Sequence, residues 1–268
     1  DIEMLEAFMV DVNGVLRGKR VPVSKALSTF KSGMRMPRSA FAVDIWGHDV
    51  LEAGLVTQTG DNDGVCRTVA GTLCRTPWMS IPTAQVMMTM QDADGKGFFA
   101  DPRQVLRRVL NFFKKEGLTP VVAVELEFYL LDSKRDERGF PQPPLSPRTG
   151  QRVQASQMFG LGEVEEFGAV LSDINRACAL QGIPADTTIS ENGPGQYEIN
   201  LYHVPDAMLA ADYATLLKRV IKGAARKNGF DATFMAKPYG DKSGNGMHVH
   251  ASVLDTNGDN IFAGPQGR

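Results

Sequence analysis

The sequence predicts an α+β protein built from two domains. Short β-forming runs separated by turn residues fill the front of the chain, whereas amphipathic helical patterns alternate with strand patterns in the remainder. A polar stretch rich in turn residues at 91–97 separates these two regions. We therefore place a domain boundary there, which gives predicted domains at 1–95 and 96–268.

The first predicted domain is a small mixed α+β unit. The dipeptide Asn13-Gly14 between two strand-like runs indicates a tight hairpin, because both residues tolerate the positive φ angles of such turns. The elements predicted in this domain are strands at 8–12, 15–22, 39–45, 64–69 and 84–90 and a helix at 24–31.

The second predicted domain opens with a helix whose ends are marked clearly. Asp101 can cap its first turn, Pro102 suits the first helical position, and Gly117 ends it. A proline-rich irregular loop is expected at 133–160, and loops of that length are commonly functional. The other predicted elements are strands at 121–131, 196–202, 231–236 and 247–253 and helices at 163–180 and 206–227.

The composition argues for small-molecule ligands. The 29 basic and 31 acidic residues leave a net charge of -2, which gives no general attraction to nucleic acid or to an anionic membrane. The sequence has no apolar run long enough to span a bilayer, and its acidic start lacks the pattern of a secretory signal. We therefore expect a cytoplasmic protein. Cys66, Cys74 and Cys178 fit neither a disulfide framework nor a zinc site, so we expect free thiols.

Three predicted strands each direct polar side chains to one face. Strand side chains alternate between faces, so Glu125 and Glu127 point away from the apolar residues between them. The same alternation separates Glu198 from its apolar neighbours and places His248 and His250 on one side. If the three strands share one sheet, these five side chains line one polar surface.

Such a surface needs positive charge. Two carboxylates about 5 Å apart repel by roughly 3 kcal/mol at an effective dielectric constant near 20. A set of carboxylates with one imidazole suits Mg²⁺ or Mn²⁺ better than Zn²⁺, and such ions commonly bridge phosphate oxygens. For one strand alone, a solvated sheet face is the more frequent explanation. The three strands together, with the glycine-rich run 243–246, favour a metal site.

Three segments in series resemble signatures of the glutamine synthetase family. They are Glu-Leu-Glu-Phe-Tyr-Leu at 125–130, Glu-Asn-Gly-Pro-Gly-Gln-Tyr-Glu-Ile at 191–199, and Lys237-Pro238 followed by Gly-Asn-Gly-Met-His-Val-His-Ala-Ser at 244–252. The front of the chain resembles the family's N-terminal β-grasp domain. The resemblance implies a small β-grasp domain followed by an antiparallel-sheet-and-helix catalytic domain, and it is closest to the branch that includes γ-glutamylpolyamine synthetases.

The resemblance implies two positions for Mg²⁺ or Mn²⁺. One would be held by Glu127, Glu191 and Glu198, and the other by Glu125, His248 and a later glutamate outside this sequence. The implied reaction uses ATP to phosphorylate the γ-carboxylate of glutamate, after which an amine attacks the γ-glutamyl phosphate.

The resemblance also implies roles for residues outside the metal ligands. Asp186, His250 and Ser252 correspond to nucleotide contacts, whereas Ser243 and Gly244 correspond to the glutamate-binding loop. Ammonia-using members typically carry Asn-Gly at that place in the loop, so a polyamine or another alkylamine is a plausible donor. Asp44 resembles the aspartate that accepts a proton from the amine across a subunit boundary, although a plain turn role for it is equally open.

Assembly and chain length are further expectations. Family members form hexameric rings, commonly stacked as dodecamers. The chain begins without Met and ends where a hairpin has just begun, so we expect it to be the front part of a longer protein and inactive alone. Two alternatives stay open: a non-catalytic relative used for assembly or sensing, and an unrelated carboxylate-metal hydrolase.

Overall fold

The computed structural model describes residues 1–264, and its Cα positions group into two units, Asp1–Phe112 and Phe113–Arg268. The division falls within the helix that follows the predicted domain boundary. The boundary between 95 and 96 therefore stays a prediction, and each unit is described by itself.

The first unit contains a mixed sheet with the strand order β2-β1-β6-β4-β3, in which β5 also pairs with β6. Its β1 and β2 form the antiparallel hairpin that Asn13-Gly14 predicts, whereas β1 and β6 run parallel. The elements are β1 Met4–Val10, β2 Leu16–Pro22, α1 Ala26–Ser32, β3 Met34–Pro37, β4 Asp63–Thr68, β5 Cys74–Arg75 and β6 Thr83–Gln91, with short 3-10 helices at Val23–Lys25, Arg38–Phe41 and Leu51–Ala53.

Strand β6 forms the centre of this unit, because its residues 83–90 are all buried. Helix α2, Pro102–Lys115, is anchored to it through Asp101. One Asp101 oxygen accepts a hydrogen bond from the Arg103 N–H at 2.8 Å, which confirms the predicted cap. The other oxygen accepts from the Thr89 hydroxyl and the Met90 N–H, both at 2.8 Å, so the cap also ties the helix to the sheet.

The strand predicted at 39–45 is wrong. The chain instead forms the 3-10 helix Arg38–Phe41 and then an isolated bridge between Val43 and Asp49. The edge strand lies earlier, at β3, which ends at Pro37. The apolar residues from 40 to 43 do not alternate with polar ones. The backbone turns here instead of extending, and this turn buries the successive residues Phe41 and Ala42 in the core.

The second unit contains an antiparallel sheet with the order β10-β7-β9-β8, in which β11 also pairs with β7. The long strand β7 is paired along one edge with β9, and along the other edge with β11 and then β10. The elements are β7 Thr119–Asp132, α3 Leu161–Glu166, α4 Gly168–Gln181, β8 Ala185–Ser190, β9 Gln196–Leu201, α5 Ala207–Lys227, β10 Phe230–Thr233 and β11 Met247–Leu254.

The helix predicted at 163–180 is divided in two. Phe167 separates α3 from α4 with non-helical dihedral angles (φ −108°, ψ 24°), and its side chain is 1% exposed. Its ring packs against Tyr197 and Phe230, so core burial of one aromatic residue outweighs helix continuity. The strands β5 and β8 carry little apolar alternation and were not predicted.

The two faces of β7 differ sharply in chemistry. Val124, Leu126 and Phe128 are buried on the face that packs with α5, while Glu125 and Glu127 point to the other face. Of the three thiols, Cys66 and Cys178 are buried, and burial raises the pKa of each to about 12. Within the described residues, no helix is both long and apolar enough to cross a bilayer.

Candidate metal centre

The register of three strands creates the candidate centre. Glu125 of β7 lies directly opposite His248 of β11 on one side and opposite Asn200 of β9 on the other. Glu127 lies directly opposite Glu198 of β9. Side chains directly opposite each other in an antiparallel pair have Cβ atoms about 5 Å apart, so the acids and the imidazole share one small area of the sheet.

Glu125, Glu198 and His248 approach each other most closely. One potential ligand atom from each lies within 4.8 Å of the other two. The Nδ1 atom of His248 is 3.2 Å from Glu125 Oε2 and 3.9 Å from Glu198 Oε2. Glu198 is only 7% exposed, whereas His248 is exposed. The three groups can therefore contact one ion, and two carboxylates with one imidazole fit a hard divalent cation.

Electrostatics in the cluster favour binding of a cation. Burial raises the pKa of Glu198, and the neighbouring Glu125, Glu191 and Glu127 raise it further, while His248 opposes them. Burial also raises the pKa of Glu191, and the charge of Glu127 adds to that effect. Negative charge is thus concentrated at this point of the sheet, where a bound cation would offset it.

Glycine makes room beside these ligands. A Cβ atom on Gly246 would lie 2.8 Å from Glu127 Oε1 and 3.1 Å from His248 Nε2. The Gly246 carbonyl also accepts a hydrogen bond from the Glu127 N–H at 3.2 Å. The absence of a side chain at Gly246 therefore lets the backbone pass close to two candidate metal ligands.

Hydrogen bonds from Tyr129 and Asn192 hold the loop that contains Ser243 and Gly244. The Tyr129 hydroxyl donates to the Ser243 carbonyl at 2.8 Å, and the Asn192 amide donates to the Ser243 hydroxyl at 3.0 Å. Gly193 packs so closely on Tyr129 that an added Cβ would lie 1.9 Å from the hydroxyl oxygen. These contacts join the two glycine-containing loops that follow β8 and precede β11.

The residues predicted to contact nucleotide lie in different places. His250 is next to the candidate metal ligands, because its Nε2 is 3.1 Å from Glu125 Oε1. Ser252 is half-buried two residues further along the same strand. Asp186 lies in β8, is exposed, and accepts a hydrogen bond from Tyr202, which raises the pKa of that hydroxyl.

Asp44 lies in the first unit and organises its own turn. Its Oδ1 accepts hydrogen bonds from the Trp46 and His48 N–H groups at 2.8 and 2.9 Å. The hydrogen bond from the His48 backbone is the main reason why the pKa of Asp44 is lowered. These hydrogen bonds are those of an aspartate that stabilises its own turn, and the catalytic role of Asp44 stays a prediction.

The family model for the glutamine synthetase catalytic domain matches residues 99–268. This chain belongs to the glutamine synthetase family. The match covers the whole candidate metal centre. Three curated relatives are similar over 98–99% of this chain. They are γ-glutamylputrescine synthetase PuuA of Escherichia coli at 44% identity, glutamate–isopropylamine ligase of a Pseudomonas species at 31%, and γ-glutamylethanolamide synthetase GlnA4 of Streptomyces coelicolor at 30%.

Solved structures of glutamine synthetase relatives share the fold. A glutamine synthase homologue superposes with a TM-score of 0.83 at 20% identity, covering 99% of this chain and 58% of that one. A GmaS/ADP complex superposes with a TM-score of 0.79 at 26% identity, covering 98% of this chain and 56% of that one. The chain spans 56–57% of the length of the three curated relatives.

In this glutamine synthetase relative, the structure also reveals contacts that the strand pattern did not identify. Gln196 links the candidate ligand Glu127 to the loop at 243–246, and Tyr129 and Asn192 bind Ser243 of the same loop. The alternation along β9 placed Gln196 on the polar face with Glu198, which was the one available signal. The three oxygens that its NH₂ group contacts belong to residues 48 to 69 positions away in sequence, so only the tertiary structure shows them.

Proposed function

We propose that the protein carrying this chain is an ATP-dependent ligase that joins an amine to the γ-carboxylate of glutamate through γ-glutamyl phosphate. The convergence of Glu125, Glu198 and His248 on one point of the sheet carries this proposal, because phosphoryl transfer depends on cations held by such groups. The names of three relatives contain putrescine, isopropylamine and ethanolamide, so we propose an alkylamine or polyamine donor ahead of ammonia.

We propose a centre for two divalent cations, Mg²⁺ or Mn²⁺, around the ligand set that the described residues bring within reach of one ion, Glu125, Glu198 and His248. We assign Glu127, Glu191 and Glu198 to one position and Glu125 and His248 to the other, with Glu198 near both, since it lies opposite Glu127 and close to Glu125 and His248. Burial, with added repulsion from neighbouring glutamates, raises the pKa of Glu191 and of Glu198, and a bound cation would offset both effects, which supports this assignment. When bound, such cations neutralise charge on the transferring phosphoryl group.

The remaining chemistry is assigned to positioning and proton transfer. Ser243 and Gly244 would place glutamate next to the metal centre, and His250, Ser252 and Asp186 would contact ATP. Bringing the γ-carboxylate and the terminal phosphate together accounts for much of the acceleration in such reactions. An incoming amine must lose a proton to act as a nucleophile, and Asp44 is the proposed acceptor.

The wider context belongs to the same proposal. We assign the mixed sheet of the first unit to a β-grasp domain, since a parallel β1–β6 pair lies at its centre and α1 follows the first hairpin. We propose a cytoplasmic homo-oligomer, a hexameric ring or a dodecamer, whose partners are small molecules rather than nucleic acid or membrane.

ADP release by the full-length protein tests the proposal. Glutamate and MgATP would be supplied with putrescine, isopropylamine, ethanolamine or ammonia, each with and without EDTA. We expect ADP formation that requires glutamate, a divalent cation and one or more of the alkylamines. A Glu125→Gln variant should lose this activity, while Glu165→Gln, at an exposed helical position, should retain it.

Other outcomes assign the protein to another class. ADP formation that does not depend on the amine, or metal-dependent hydrolysis of a substrate in the absence of ATP, would indicate a metal-dependent hydrolase. Complete inactivity of a folded, metal-loaded full-length protein would indicate a non-catalytic relative and overturn the proposal.

A further inference from the structure

Gln196 lies at the junction of the metal centre and both glycine-containing loops. It begins β9 and its side chain is 1% exposed. Its Oε1 accepts a hydrogen bond from the Gly193 N–H at 2.9 Å. Its Nε2 lies 3.0 Å from Glu127 Oε2, 2.9 Å from the Gly244 carbonyl oxygen and 3.1 Å from Asn245 Oδ1.

The orientation of this amide is determined by its neighbours. A backbone N–H can only donate, so the amide oxygen must face Gly193. The NH₂ group then faces three oxygens, although it has only two hydrogens to donate. Gln196 can therefore release one oxygen and still donate both hydrogens to the other two.

The contact leaves the second Glu127 oxygen available. Oε2 is the oxygen that Gln196 holds, whereas Oε1 and His248 Nε2 both border the small space left by the missing Gly246 side chain. Glu127 is thus turned so that one oxygen faces the other candidate ligands. Groups that orient metal ligands in this way typically change metal affinity by about 10–100-fold when they are removed.

We infer that Gln196 is a positioning residue that couples cation binding at Glu127 to the geometry of the glutamate-binding loop at 243–246. The inference rests on the proposed function, which assigns a cation to Glu127 and glutamate to that loop. A cation that binds Glu127 Oε1 leaves Oε2 bonded to Gln196, so the same NH₂ group joins this ligand to Gly244 and Asn245 of the loop. Such coupling is reciprocal, so bound glutamate should tighten cation binding.

Mn²⁺ binding to the full-length protein tests this coupling, measured by titration calorimetry with and without glutamate. We expect Gln196→Met to weaken Mn²⁺ binding by about tenfold or more. We also expect the variant to lose the tightening that glutamate produces in the wild type. Gln104→Met is the matched control, because Gln104 is a buried glutamine whose amide donates to Thr89 in the first unit. Its Mn²⁺ affinity and its response to glutamate should equal those of the wild type.

A second readout follows the loops directly. Amide hydrogen exchange in peptides covering 192–196 and 243–247 should accelerate in Gln196→Met and not in the control. If Gln196→Met does not fold, Gln196→Asn serves instead, because its shorter side chain keeps an amide yet falls short of Glu127. The same weakening is expected for it.

Two results would overturn the inference: wild-type Mn²⁺ affinity in the Gln196 variants, or glutamate coupling that survives in them. Failure of the proposed function looks different. In that case the wild-type protein forms no amine-dependent ADP, while the Mn²⁺ titrations still compare Gln196→Met with Gln104→Met.

Discussion

His248 and Glu125 face each other in register across β11 and β7, with Nδ1 of the imidazole 3.2 Å from Oε2 of the carboxylate. The pairing of β11 with the central strand therefore sets the position of the only imidazole in the cluster found among the described residues. His248 is more exposed than Glu125, since their side chains are 58% and 23% accessible. One side of the pair is thus open to an incoming ion.

Removal of either partner should weaken cation binding. We expect His248→Ala and Glu125→Gln each to reduce Mn²⁺ affinity by about tenfold or more, because each removes one of three converging ligand groups and the loss of even an indirect contact commonly costs that much. Titration calorimetry in a metal-free buffer provides the measurement. His48→Ala, at an exposed turn in the first unit, is the control and should bind like the wild type. Unchanged affinity in both site variants would exclude this cluster as the metal site.

Local sequence patterns predicted the parts of the centre that lie within strands. The period of two along β7, β9 and β11 placed Glu125, Glu198 and His248 on polar faces, and the register of the sheet then brought them together. The same period failed at 39–45, where core burial is achieved by a 3-10 turn. A strand pattern contains no information about such a turn.

The connections between segments could not be predicted in this way. Gln196 contacts Glu127 and Gly244, which lie far from it in the chain, and the hydrogen bonds depend on how the loops close over the sheet. The apolar residues Met247 and Val249 show the same limit. Their alternation with the histidines indicates a buried face, yet they are 60% and 57% exposed on the edge strand of the described sheet. Alternation reports which residues point together, not whether anything covers them.

Gly246→Ala should damage the centre without unfolding the protein. The added Cβ would lie 2.8 Å from Glu127 Oε1 and 3.1 Å from His248 Nε2, so both candidate ligands must move. We expect Mn²⁺ affinity to fall by about tenfold or more, while the melting temperature without metal changes little, since both obstacles are the far ends of side chains. Gly240→Ala is the control, because a Cβ there meets nothing within 4 Å. Wild-type affinity in Gly246→Ala would show that the ligands need no room at this position.

Glu198→Gln should stabilise the metal-free protein at neutral pH. Burial and three neighbouring glutamates raise the pKa of Glu198, so its ionised form costs stability above that pKa. We expect the melting temperature in EDTA at pH 7 to rise by roughly 2–4 °C, the shift that about 1 kcal/mol produces in a chain of this size. The gain should shrink as the pH falls through the raised pKa towards the ordinary value of 4.5.

Saturating Mn²⁺ should make the wild type melt at a higher temperature than Glu198→Gln. Only the wild type keeps all the metal-ligating side chains, and a bound ion stabilises the folded state. Scanning calorimetry at pH 7 and pH 4.5, with EDTA and with Mn²⁺, measures both effects. Glu165→Gln, at an exposed helical position, should match the wild type throughout. A lower melting temperature for Glu198→Gln in EDTA would contradict the electrostatic account.

Asp173 should contribute stability that depends on pH in the opposite sense. Hydrogen bonds from Arg176 and from Asn228, the latter at 3.0 Å, with Lys227 at 3.1 Å, lower its pKa to about 2 and join α4 to the end of α5. A lowered pKa means that the stabilisation is present above the ordinary value of 3.8 and disappears as the pH falls towards about 2.

After allowance for solvent screening, we expect Asp173→Asn to lower the free energy of unfolding by about 1 kcal/mol at pH 7. Urea unfolding at pH 7, 4 and 2.5 should show that difference narrowing with acidity. Asp241→Asn is the control, because the Asp241 carboxylate pairs with Lys242 in solvent, and it should leave the free energy of unfolding nearly unchanged at every pH. A constant difference between Asp173→Asn and the wild type across this range would show that packing, not charge, accounts for the effect of the substitution.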